Sequence, residues 1–300
     1  MDNYEKCRIS SEKLNWNFQK ALGGLEFDFS KRFLPNRFCG QGLPTWLSPE
    51  EKKKLNHLRG YSYAHLFMFC EEFIIRHAFL SANQYLHKDI SALSALLRFT
   101  EEETKHQRMF MLIKERLEGG LGFKPEEISN KEEFAAKICK NSSFSVYLFV
   151  LIIELLTQRH FVECFSQEEK SLDPGFVKIF RLHWIEEVQH TRIDILELNK
   201  LAREMTESEI CESINEFVSM GVDLSRAISR QNSLDISNFE TMLDCVFTAE
   251  QRQELLLVLE KDFRWVFILS GLEHDSFRML YKNLIPSHAL QIDQMIEMIP

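Results

Sequence analysis

The stretch from His183 to Asp194, His-Trp-Ile-Glu-Glu-Val-Gln-His-Thr-Arg-Ile-Asp, constrains this chain more than any other. His183, Glu187 and His190 stand at i, i+4 and i+7. At about 100° per residue, a helix brings those three side chains within roughly 60° of one another on one face. Imidazole together with carboxylate suits iron, manganese or zinc and suits calcium poorly. Asp194, one turn further along the same face, is placed to orient a ligand histidine from behind. The spacing alone is suggestive; the other ligands must come from elsewhere in the chain.

Four long segments of helical periodicity lie between residues 49 and 204. The first runs to about residue 83. It opens on a Ser48/Glu51 capping box with Pro49 at the first helical position, and only Gly60 interrupts it. The second spans about 91–118 and stops at Gly119-Gly120-Leu121-Gly122. A short helix near 131–140 connects it to the third, about 143–166. Asp173-Pro174 opens the fourth, about 174–204. Residues 1–48 form an arm, a short helix followed by irregular chain whose aromatics wrap it onto the body. Residues 205–300 form a C-terminal helical extension, with segments at 206–230, 236–246, 249–270 and 274–284. No stretch alternates as a strand does, so the fold class is all-α, and with no low-complexity linker the chain is expected to be one domain.

Each long segment carries a carboxylate on its apolar side. The first has Glu71 and Glu72, of which Glu71 has the more apolar neighbours, leaving Glu72 to the edge or to a pairing with Arg76. The second has Glu103 and His106, the third Glu154, and the fourth Glu187 and His190 with His183 added. One carboxylate from each of two helices plus Glu-x-x-His from each of the other two is the ligand set of di-iron and di-manganese bundles. Two cations a few ångströms apart repel, so four carboxylates must neutralise and bridge them, while histidines give neutral nitrogen donors. Each piece has a plainer reading. Glu154 alone fits a helix-face residue with an arginine partner, and Glu103 with His106 fits a surface pair beside Glu101 and Glu102. The order and residue types on four consecutive helices favour metal.

Composition closes other routes. A net charge of −9 argues against a nucleic-acid groove. Seven cysteines, an odd number without a C-x-x-C pair, read as reduced thiols of a cytoplasmic protein. The N-terminus lacks a signal-peptide core, and the most apolar run, Val146 to Leu156, is too short to cross a bilayer, so no membrane association is expected. No P-loop, dinucleotide glycine motif or G-x-S-x-G elbow is present.

The His183-x3-Glu187-x2-His190 pattern, with Glu103-x2-His106 and Glu154 in matching order, resembles the arylamine N-oxygenase family typified by p-aminobenzoate N-oxygenase. The resemblance covers roughly residues 60–200 and implies a ferritin-like four-helix bundle with two irons, Mn/Fe being the variant. It implies one iron held by Glu71 (or Glu72), Glu103 and His106, the other by Glu154, His183 and His190, with Glu187 bridging. It further implies O₂ and a small-molecule amine as substrates, a reductase or ferredoxin as electron donor, and pairing as a homodimer. The segments Leu55-Asn56-His57-Leu58-Arg59-Gly60 and Thr157-Gln158-Arg159-His160 look like those of a related bacterial branch. Three alternatives stand beside this expectation: a ferritin-class ferroxidase or iron store, a haem-oxygenase-like di-iron oxidase, and a metal-free helical module. The second wants Glu-x6-His on an earlier helix, which neither Glu71 nor Glu72 forms with His77.

Overall fold

The computed structural model describes residues 3–285 and 291–298, whose regular elements are all helices. In chain order these are α1 (Asn3–Leu14), α2 (Phe18–Leu22), α3 (Pro49–Asn83), α4 (Ile90–Leu121), α5 (Lys131–Ile138), α6 (Ser143–Arg159), α7 (Ser166–Glu168), α8 (Pro174–Glu204), α9 (Glu207–Leu243), α10 (Ala249–Arg264), α11 (Ser270–Leu272), α12 (Asp275–Leu284) and α13 (Gln291–Met298). The all-α class is as expected; extended pairing among the described residues is limited to one isolated bridge, Arg32 to Leu172.

The long helices begin where local chemistry starts them. Ser48 accepts from the Glu51 amide while Glu51 accepts from the Ser48 amide, and Asp173 caps α8 at Phe176 with Pro174 behind it. A further reciprocal box, Thr206 with Glu209, opens α9. The second long helix runs through Gly119 and Gly120 and ends at Gly122, whose φ of 80° is the left-handed cap that a side chain would resist.

Within the bundle α3 lies along α4, and α6 lies along α8. The third helix is the most buried: every residue from Phe144 to Thr157 is out of solvent. It continues through a π turn, His160–Phe165, so Ser143–Glu168 becomes a 26-residue helix that is long and apolar enough to cross a membrane, although 83% of its apolar window is buried inside the protein. That length corrects the expectation from Val146–Leu156 alone. Burial and the presence of Glu154 mark it as a core helix.

The arm is tied down by polar side chains from the start of α3. Buried Asn56 accepts from the amides of Phe33 (2.8 Å) and Leu34 (3.0 Å) and donates to the carbonyls of Leu34 (2.9 Å) and Cys39 (3.2 Å). His57 Nε2 donates to Lys31 O at 2.7 Å. Asp173, besides capping α8, accepts from the Asp28 amide at 2.9 Å. The Leu55–Gly60 segment is thus largely structural.

One expectation fails in the C-terminal extension. The expected segments 206–230 and 236–246 are one helix: α9 is continuous from Glu207 to Leu243 through Gln231-Asn232-Ser233-Leu234-Asp235. Asn232 and Asp235 are polar because they face Arg59 in the core, and Gln231 because it meets Ser62, Asp235 and the Ile128 amide, not because the chain turns there. Arg59, fully buried, donates to Asn232 Oδ1 (2.6 Å) and Asp235 Oδ2 (2.5 Å) and lies 3.1 Å from the Phe263 ring centroid. A second π turn, Trp265–Leu269, leads into α11, where Gly271 meets α6 so closely that a Cβ would stand 2.3 Å from Ile152 O.

Candidate metal centre

Glu71 on α3, Glu103 and His106 on α4, Glu154 on α6, and His183, Glu187 and His190 on α8 converge in the middle of the bundle, each 2% exposed or less. Three imidazole nitrogens point at the carboxylates. His106 Nδ1 stands 3.3 Å from Glu187 Oε1, 3.6 Å from Glu103 Oε1 and 3.8 Å from Glu71 Oε1. His183 Nε2 stands 2.5 Å from Glu187 Oε1 and 3.3 Å from Glu71 Oε1. His190 Nδ1 is 2.7 Å from both Glu103 Oε1 and Glu187 Oε2, and 3.7 Å from Glu154 Oε2. Two groups of four ligand atoms result, Glu71/His106/His183/Glu187 and Glu103/His106/Glu187/His190, each within 4.8 Å and sharing His106 and Glu187. Glu187 lies between them.

The outward nitrogens of the two Glu-x-x-His histidines are held by carboxylates that the sequence reading passed over. His106 Nε2 donates to Glu186 Oε2 at 3.0 Å, and His190 Nε2 donates to Glu102 Oε2 at 3.1 Å. Each bond crosses between helices: α8 supplies the partner for the α4 histidine, and α4 supplies the partner for the α8 histidine. With a proton fixed on Nε2, Nδ1 presents its lone pair inward. The outer carboxylates are held in turn. Lys105 Nζ bonds Glu186 Oε1, while Ser11 Oγ donates to Glu102 Oε1 at 2.5 Å and takes a bond from Arg98 at 2.6 Å. The signal was present in the sequence as a repeated Glu-Glu-x-x-His, at 102–106 and 186–190.

Apolar rings seal the group. Phe99 stacks on His190 at 4.0 Å between centroids, and Phe67 and Phe110 meet His183 edge-on at 5.2 and 5.1 Å. In this dry setting charge is costly. Burial, reinforced by Glu103, lifts the Glu71 carboxyl to about 8, and burial with Glu187 beside it holds Glu154 well above the carboxylate range. Burial pushes Glu187 up as well, but His183 and His190 outweigh it and keep Glu187 well below its ordinary value. The histidines show the mirror image: burial lowers His106 and His190, and the charges of Glu187 and Glu103 override it and raise both. Protons are thereby retained where positive charge is required.

The same atoms pass a test of fit for metal. Glu71 Oε2, Glu103 Oε2, Glu154 Oε1 and His106 Nδ1 are buried without a hydrogen-bond partner among the described residues. Buried polar atoms are seldom left so. Here they are clustered, they are acceptors or lone-pair donors, and they surround one volume, which is the arrangement cations would satisfy.

The remaining expected residues lie as follows. Glu72 is half-exposed, pairs with Lys131 at 3.0 Å rather than with Arg76, and stands outside both groups. Glu154 lies at the edge, nearest His190. His183 faces Glu71, whereas the family partition places it with Glu154. Asp194 is fully buried beyond His190, with neither oxygen hydrogen-bonded among the described residues; Glu102 holds His190 instead. His160 is a core residue, bonded to Tyr63 OH (2.8 Å) and Ser270 Oγ (3.1 Å).

Fold and site together define an all-α bundle with a buried carboxylate–histidine group able to hold a two-metal centre. No protein-family model matches the sequence, and no curated protein does. Among solved structures the chain is similar to a variant of an R2-like ligand-binding oxidase with an anaerobically reconstituted Mn/Fe cofactor, at 15% identity and a TM-score of 0.41, covering 100% of this chain and 94% of that one.

Proposed function

We propose that the protein is an O₂-dependent oxidoreductase with a di-iron or Mn/Fe centre, acting on a small organic molecule, with N-oxygenation of an amine as its reaction. The observation that carries this reading is the convergence of four glutamates and three histidines, four of the seven with inward atoms lacking hydrogen-bond partners among the described residues, in an aromatic-walled core. Carboxylate-rich sets with imidazole suit iron and manganese. When bound, such a pair supplies the redox capacity for O₂ chemistry. The chain's own residues do the rest. Glu71, Glu103, Glu154 and Glu187 would neutralise the cations, His106, His183 and His190 would donate nitrogen, and Glu102 and Glu186 set the two tautomers. Phe67, Phe99 and Phe110 exclude water. Reduction of O₂ consumes electrons, so the reading includes a reductase or ferredoxin as donor; a cytoplasmic location and a homodimer complete it.

The test is metal content after expression with iron, followed by an optical spectrum as the reduced protein meets O₂. Two metals per chain, a transient band and turnover of arylamines to hydroxylamine or nitro products are expected. Iron loading far above two per chain would favour a storage protein. Failure to bind any transition metal would overturn the assignment.

A further inference from the structure

The polar face of α8 does not stop at the metal group. His183, Glu187, His190, Asp194 and Glu197 occupy i, i+4, i+7, i+11 and i+14, one continuous stripe, and all five are 4% exposed or less. Such a line of ionisable groups through a core is costly unless it has a use. Its far end reaches the surface. Glu197 Oε1 accepts from Tyr85 OH at 2.7 Å and from Tyr4 OH at 2.8 Å, and the exposed Lys200 donates to Tyr85 OH at 3.0 Å. Burial holds the Glu197 carboxyl above its ordinary value. Its inner end is Asp194, with both oxygens buried and without a hydrogen-bond partner among the described residues. Across from it Tyr147 of α6, one face with Glu154, buries its hydroxyl beside Ser81, and the charges of Glu197 and Asp194 both bear on it.

We propose that this stripe is a proton route, carrying protons from solvent at Lys200 and Tyr4 through Tyr85 and Glu197 to Asp194 beside the metal group. It rests on the metal-centre reading only for its destination. Asp194 and Glu197 are three residues apart, about 4.5 Å of helix rise. A water accepting from the Glu197 carboxyl and donating to Asp194 would bridge them, with Tyr147 OH as a third of the two to four polar partners that a buried water needs. At each transfer an O–H or N–H bond breaks at the donor and an O–H bond forms at the acceptor. One proton leaves solvent and one arrives, with no change of oxidation state. Tyr4 from α1, Tyr85 and Asp89 from the α3–α4 turn, Lys200 and Asp194 from α8, and Tyr147 from α6 are charged or titratable groups that interact with Glu197.

The test uses the full chain without metal, so it reports on the route whether or not iron binds. Transfer to D₂O converts the Asp194 carboxyl from COOH to COOD, and infrared spectroscopy follows its C=O band, assigned by its loss in Asp194→Asn. Exchange is expected to slow at least about tenfold in Glu197→Gln and in Tyr85→Phe, and to stay unchanged in Tyr61→Phe, which lies elsewhere. Tyr85→Phe keeps the ring and carries the test if Glu197→Gln does not fold. Exchange as fast as in the unaltered chain in both variants would overturn the proposal. In the iron-loaded chain a pH indicator should show proton uptake on oxidation slowed in the same two variants. Loss of iron binding there would count against the metal reading alone, since the metal-free exchange stands by itself.

Discussion

At the scale of single residues, the centre depends on which nitrogen of each histidine carries its proton. Glu102 and Glu186 decide that for His190 and His106 from behind, and each is itself fixed, by Ser11 and by Lys105. Replacing either with glutamine keeps the shape, removes the charge and lets the amide present a donor toward Nε2, which favours the wrong tautomer. Glu102→Gln and Glu186→Gln are therefore expected to weaken metal binding about tenfold to a hundredfold in a chelator competition. Glu72→Gln, removed from the group and paired with Lys131, should leave it unchanged. Equal losses in all three would argue that general charge, not orientation, governs affinity. The converging residues were legible where they obey helical spacing within one segment, as His183, Glu187 and His190 do and as Glu103 and His106 do. Glu102 and Glu186 were not, because their partners lie on another helix, 88 and 80 positions away.

At the scale of helices, what was legible was local. Capping residues at 48, 173 and 248 act through neighbours three positions on, so the sequence shows where α3, α8 and α10 begin. What was hidden was tertiary. The Gln231–Asp235 run looks like a linker by composition and is helix because a buried arginine needs it. The π turns after Arg159 and Arg264 have no local marker at all. Asn56 shows the same dependence: one amide side chain satisfies four backbone groups of the arm. Asn56→Ala would strand those groups in the core, and we expect it to cost about 2–4 kcal/mol of stability. Thermal unfolding would measure the loss, and limited proteolysis should then cut between residues 23 and 47 faster than in the unaltered chain.

At the scale of the whole molecule, the buried group couples stability to pH. Glu71, raised from 4.5 to about 8, keeps its proton in the folded chain after the unfolded chain has lost it. The folded state binds more protons in that window, so stability falls as pH rises through it. His106, His183 and His190, raised above 6.5, act in the same direction, their contribution complete below 6.5 and lost as pH climbs through the folded values. His65 and His77, at about 4, and His160, at about 3, oppose this only below 6.5, where the unfolded chain still protonates them. Between pH 6.5 and 8 the metal-free protein should therefore lose melting temperature. Bound Fe(II) takes the place of those protons, so its stabilising effect should grow over the same interval. Calorimetry with and without metal checks both slopes, and a metal-free melting point that rises over this range would contradict the retained protons.

The crossed ties between α4 and α8 carry a consequence for inheritance. Neither helix carries a complete half of the centre, because each lends its spare glutamate to the other's histidine. A descendant that exchanged one of these helices for a foreign one would lose one imidazole outright and, on the helix it kept, the backing of the other. The two segments must therefore change together or stay as they are, which makes them a single heritable part that the chain happens to write in two places.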